Sequence, residues 1–126
     1  MGLDNGFIVK KTEDMPWRVK MLCQHEYSDN IEVAYWRKCH QVRAIVLNIL
    51  GGENDECVYD VSREQLLDII SGLTKNIKRK WYEYDTPFWE WKEYKINHKK
   101  NVRNLRRLAK LMKKYPDIIV EFYDSY

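Results

Sequence analysis

The sequence predicts an α+β domain: a small, mainly antiparallel sheet with about three helices packed on it. Three observations carry the prediction. The run Ile31–Leu50 changes period midway. Ile31, Val33 and Tyr35 alternate with Glu32, Ala34 and Trp36 as in a pleated strand, whereas Val42, Ile45, Val46 and Ile49 fall at helical spacing. Two further helical stripes follow, Leu66, Ile69, Ile70, Leu73, Ile77 and then His98, Val102, Leu105, Leu108, Ala109, Met112. Strands and helices come mixed along the chain, with early hairpin-like pieces, which gives α+β: helices packed on a small sheet. At 126 residues the chain makes one domain, 1–126, with a single core.

Taken in order, Asp4-Asn5-Gly6 reads as a turn, because Asn and Gly tolerate positive φ. Phe7–Lys10 is a first short strand, ended near Met15-Pro16. Trp17–Cys23 reads as a second strand with Trp17, Val19 and Met21 on one face, and Gln24–Asn30 as a polar loop. The strand–helix unit comes next, and Gly51-Gly52 stops its helix. Cys57–Val61 is a further strand. Ser62 and Gln65 fit a capping box that opens the second helix. In that helix Gly72 costs about 1 kcal/mol relative to Ala, little against a strong pattern. Residues 78–91 carry alternating aromatics, which predict an ordered loop, although Thr86-Pro87 would also start a helix well. The last helix is placed from near Glu93 to Lys114. Pro116 ends it, and Asp117–Tyr123 is the closing strand, with an Ile-Ile-Val run suited to two covered faces.

Composition excludes several classes. With 44% hydrophobic and 33% charged residues the chain is globular, not a disordered tail. No apolar run approaches a membrane span, and the opening residues form no secretory signal. Met1-Gly2 lacks the Ser or Thr that myristoylation wants at position 6, where Gly stands. Three cysteines, Cys23, Cys39 and Cys57, suit a reducing cytoplasm and not a disulfide framework.

Net charge is only +3, yet it is segregated. Between Tyr94 and Pro116 stand nine of the 22 basic residues and no acidic one, so the other 13 face all 19 carboxylates. Lys99, Arg103, Arg106, Lys110 and Lys113 recur at alternating spacings of four and three, which makes one ridge on the last helix, flanked by Arg107 and Lys114. Like charges at these spacings repel by a few tenths of a kcal/mol per pair. An anionic partner would relieve that repulsion. So would the acidic remainder, within one copy or across a homo-oligomer, since charge runs are usually solvated faces.

Two aromatic–basic clusters, Tyr35-Trp36-Arg37-Lys38 and Lys78-Arg79-Lys80-Trp81-Tyr82, could clamp a base and its phosphate, and Trp89 adds a third aromatic surface. The competing reading places Trp36 and Trp81 in the core with the charges reaching into water. Cys23-x-His25 and Cys39-His40 lack the paired spacing of a zinc site, and the cysteines read as small buried hydrophobes. Cys39, His40 and Asp60 exist as residue types without spacing that unites them for nucleophilic catalysis, and no phosphate loop or dinucleotide fingerprint is present. The reading is therefore a protein without catalysis and without a cofactor.

The opening Met-Gly-Leu-Asp-Asn-Gly, the Tyr35-Trp-Arg-Lys38 junction, the segment Asp55-Glu-Cys57 with Val61-Ser-Arg-Glu-Gln-Leu66, and the ending Phe122-Tyr-Asp-Ser-Tyr126 together resemble a family of small bacteriophage and prophage proteins. The chain departs from that pattern at Pro87–Trp91 and in its basic last helix. The resemblance implies an accessory protein made in the cytoplasm of a bacterial host, of the kind that binds and disables a host defence factor. Three functions follow for test. The first is a non-enzymatic inhibitor or modulator of a host protein or ribonucleoprotein. The second is a binder of nucleic acid or a nucleotide signal. The third is an enzyme on a phosphate-containing substrate with His40 or His98 as acid–base. Candidate contact residues are Lys99, Arg103, Arg106, Arg107, Lys110, Lys113, Trp36, Arg37, Lys38, Trp81 and Trp89.

Overall fold

The computed structural model describes residues 4–37, 39–52, 58–75 and 88–125, with side chains from residue 92 onward in the last stretch. Its strands are β1 (Asp4–Lys10), β2 (His25–Glu26), β3 (Asn30–Arg37), β4 (Val58–Val61) and β5 (Val120–Ser125). Its helices are α1 (Trp17–Lys20), α2 (His40–Leu50), α3 (Arg63–Lys75) and α4 (Phe88–Lys114). The strands form one sheet in the order β2-β3-β1-β5-β4, antiparallel at every pairing. This is the expected α+β class.

One face of the sheet carries the core. Phe7, Val9, Trp36, Val120, Phe122, Tyr59 and Val61 are buried there together with Val42 and Val46 of α2, Leu66, Ile69, Ile70 and Leu73 of α3, and Leu105 and Leu108 of α4. Phe7 sits at the centre, with the Trp36 ring edge-on at 6.1 Å and Phe122 at 5.1 Å. Every residue of the α4 stripe from His98 to Met112 is buried as its spacing predicts. Gly51 closes α2 in the left-handed region at φ 67°, and its N–H bonds the Leu47 carbonyl.

The capping box forms as read. Gln65 N–H donates to Ser62 Oγ at 3.2 Å, and Ser62 N–H donates to Gln65 Oε1 at 2.9 Å. Ser62→Ala should cost about 1 kcal/mol, seen as a lower denaturant midpoint with an unchanged slope.

Five expectations are corrected, one of them the closing strand, which runs Val120–Ser125 and not from Asp117, with Ile119 before it exposed. Asp4-Asn5-Gly6 is not a turn but the start of the central strand. Gly6 is needed there because a Cβ would lie 2.5 Å from the Ala34 carbonyl oxygen and 3.0 Å from the Tyr123 ring. Trp17–Cys23 is not a strand. Pro16 sets φ at −60°, the chain makes one helical turn, and Val19 and Leu22 are buried while Trp17 and Met21 stand exposed. The loop Gln24–Asn30 contains the two-residue edge strand β2, paired with Ile31 and Glu32.

The fifth correction concerns the long helix. It starts at Phe88 and not near Glu93, directly after the Thr86-Pro87 start signal. The rest of the expected aromatic loop, Cys57 and Ile77 lie outside the described residues.

β3 does not alternate evenly either. Phe7 pairs with Ala34 and Ile8 with Glu32, so Val33 is an extra residue and the strand carries a bulge. The bulge shifts the phase. Ile31 and Trp36 both reach the core, and Glu32 and Tyr35 both reach the opposite face.

Candidate functional site

The cationic side of α4 is built by periodicity alone. Burying His98, Val102, Leu105, Leu108, Ala109 and Met112 turns the intervening positions outward. Lys95, Lys99, Lys100, Arg103, Arg106, Arg107, Lys110, Lys113 and Lys114 are all exposed. Among the described residues none of them lies within 4.0 Å of a carboxylate. The ion pairs found there are Lys10–Glu121, Lys11–Glu26 and Arg43–Asp124. The ridge from Lys99 to Lys113 runs about 21 Å along the helix axis.

At the N-terminal half of this ridge a groove of about 640 Å³ opens between the end of α3 and α4. Thr74, Ile96, Lys99, Val102, Arg103 and Arg106 line it. Arg106 Nη2 donates to Thr74 Oγ1 at 2.9 Å, and that hydroxyl donates to the Ile70 carbonyl at 2.7 Å. The guanidinium is thereby fixed at the groove's edge.

The other expected contact residues are distributed differently. Trp36 is fully buried, so its ring offers no face to a base. Its Nε1 donates to His98 Nδ1 at 3.1 Å, and His98 Nε2 lies 3.1 Å from the Leu73 carbonyl. The neutral imidazole with its proton on Nε2 satisfies both contacts. Tyr94 stacks on His98, and its hydroxyl lies 2.7 Å from Cys39 Sγ. Arg37 is exposed at the end of β3. Lys38 and Trp81 lie outside the described residues, as does the side chain of Trp89, whose backbone is in α4. Of the acid–base candidates, His98 is buried and His40 is exposed at the start of α2.

Burial holds His98 below its ordinary range. The unfolded chain takes up a proton near pH 6.5, before the folded chain does. Stability contributed by neutral His98 is therefore full above about pH 6.5 and is lost as pH falls toward the depressed folded value. Denaturant midpoints at pH 7.5 and 5.5 should drop more in the parent than in His98→Gln.

The sequence reading missed a second concavity. The sheet face opposite the helices holds a depression of about 800 Å³ lined by Asp4, Ile8, His25, Glu32, Tyr35 and Tyr123 among others. Tyr35 Oη donates to Asp4 at 2.7 Å and Tyr123 Oη donates to Glu32. Burial, then the Asp4 bond, raises Tyr35 to about 12. Tyr123 is raised by burial and Glu32, and Glu32 itself is raised by burial. Both phenols thus remain proton donors. The bulge at Val33 aims Glu32 and Tyr35 here, whereas the even alternation read over Ile31–Trp36 would have put them on opposite faces.

A buried polar joint lies on the core side of the same strands. Asn5 and Asp124 are cross-strand partners, both buried. Arg43 of α2 pairs with Asp124 Oδ2 at 2.6 Å, and Asn5 Nδ2 reaches the Cys39 carbonyl at 3.5 Å.

No protein family, curated protein or solved structure matches the chain. No helix among the described residues is long and apolar enough to cross a membrane.

Proposed function

We propose that this chain is a non-enzymatic, phage-type accessory protein of the bacterial cytoplasm that binds and modulates a host component, of a defence system in the first instance, by docking α4 on an acidic surface. The observation that carries the reading is the row of exposed cations from Lys95 to Lys114, unpaired with any carboxylate among the described residues. Three ion pairs form elsewhere among the described residues, Arg43 with Asp124, Lys11 with Glu26 and Lys10 with Glu121, and none of them involves this helix. A protein face is preferred to single-stranded nucleic acid because Trp36, the stacking platform nearest the basic junction, is inside the core.

The test is affinity capture from bacterial lysate, with and without nuclease, using the parent chain and the triple variant Arg107→Glu, Lys110→Glu, Lys113→Glu. The protein reading expects one bound host protein that survives nuclease and is reduced at least about tenfold by the variant. Melting temperature should be nearly unchanged, since these side chains are solvated. Loss of capture on nuclease treatment, with affinity falling steeply in salt, would transfer the function to nucleic acid.

A further inference from the structure

We propose that the groove between the end of α3 and α4 is a separate small-ligand site for a nucleoside polyphosphate. The inference rests on the availability of the α4 cations but not on the identity of any macromolecular partner. Ile96, Lys99, Arg103 and Arg106 are spaced three, four and three residues apart, so they form a single row facing the groove. The row spans about 15 Å along the helix axis. Its chemistry changes along its length. At one end stands Ile96, 61% exposed, an aliphatic side chain on an otherwise cationic side of the helix. Beyond it come Lys99, Arg103 and Arg106, with Lys100 beside them and Val102 at the base.

An occupant must match that order: an apolar ring over Ile96 and Val102, and a chain of negative groups running toward Arg106. The groove's volume, about 640 Å³, falls in the range of small-molecule sites. Four cations around such a volume call for several negative charges close together, which successive phosphates supply and a single peptide carboxylate does not. Arg106 is already oriented. Thr74 occupies its Nη2, and Thr74 is itself tied to the Ile70 carbonyl, so the guanidinium loses little freedom when its remaining donors meet a phosphate. Arginine suits this role because its planar fork can meet two phosphate oxygens at once.

The experiment is calorimetric titration of the full chain with ATP, tripolyphosphate, adenosine and a short polyglutamate peptide as probes. ATP should bind best, tripolyphosphate more weakly, and adenosine not measurably at millimolar concentration. Arg106→Gln and Arg103→Gln should each weaken ATP at least about tenfold. Ile96→Ser should weaken ATP while leaving tripolyphosphate unchanged, and Lys113→Gln, outside the groove, should change neither. Thermal melting of each variant in the absence of ligand checks that it is folded.

Equal affinity for ATP and tripolyphosphate, or equal losses in Lys113→Gln and Arg106→Gln, would overturn the site in favour of diffuse attraction. Tighter binding of polyglutamate than of ATP, or no ATP binding by the folded parent, would overturn it outright. The docking proposal is read separately, since its triple variant leaves the groove residues intact.

Discussion

Trp36→Ala should remove about 3–5 kcal/mol of stability, a large part of the whole for a domain of this size. Trp36 is fully buried beneath the helices and meets Phe7 edge-on at the centre of the core. Truncation opens a cavity that rigid neighbours on β1 and α4 cannot collapse, and it also strips His98 Nδ1 of its donor. Trp36→Phe separates the two effects. It keeps much of the volume and loses the hydrogen bond, and should cost about 1–3 kcal/mol. The measurement is the denaturant midpoint of both variants at pH 7.5. A midpoint for Trp36→Ala equal to the parent's would remove this residue from the core. The folded Trp36→Phe variant should bind ATP and any host partner as the parent does, because neither proposed surface uses the indole.

Trp36 also marks where sequence reasoning reached its limit. Its neighbours Arg37 and Lys38 made it resemble a clamp, yet its place at the strand–helix joint puts it opposite Asn5 on β1 and inside. What was legible had a strong period or a local chemical signature: the stripe from His98 to Met112, the Ser62–Gln65 box, the glycine stop at Gly51, and the outward cations that the buried stripe dictates. What was not legible depends on partners distant in the chain. Gly6 looks like turn chemistry until Tyr123 and the Ala34 carbonyl are brought against it. Trp17, Val19 and Met21 alternate as in a strand, but only Val19 is buried, because one helical turn after Pro16 places Val19 and Leu22 on the same side. The tyrosine–carboxylate pairs of the open face join residues 31 and 91 positions apart.

Asn101→Leu is expected to be the second costly substitution, at about 2–4 kcal/mol, although the residue drew no notice in the sequence. β2 pairs only with Ile31 and Glu32, so the rest of β3 is an unprotected edge with a bulge in it. Helix α4 supplies the missing partners from Asn97, Asn101 and Asn104, one stripe at spacings of four and three. Asn101 Nδ2 donates to the Tyr35 carbonyl at 2.6 Å, and its Oδ1 accepts from Tyr35 N–H at 3.3 Å and from Gln24 Nε2 at 3.0 Å. Asn104 and Gln24 both donate to the Val33 carbonyl at 3.0 Å, and Asn97 adds a second donor to Tyr35.

A side-chain amide is the one group that can imitate a neighbouring strand, donating and accepting at once, and a helix carrying it covers an edge that would otherwise invite pairing with another chain. Leucine fills the space of Asn101 but leaves Tyr35 N–H without an acceptor. The readout is amide hydrogen exchange: protection at Tyr35 should fall sharply in Asn101→Leu while Phe7 and Phe122, in the sheet centre, keep theirs. Asn104→Leu should have a smaller effect, because Gln24 still serves the Val33 carbonyl. If Tyr35 stays as protected in Asn101→Leu as in the parent, the edge is not held by this amide, and the orientation of Tyr35 toward Asp4 must have another cause.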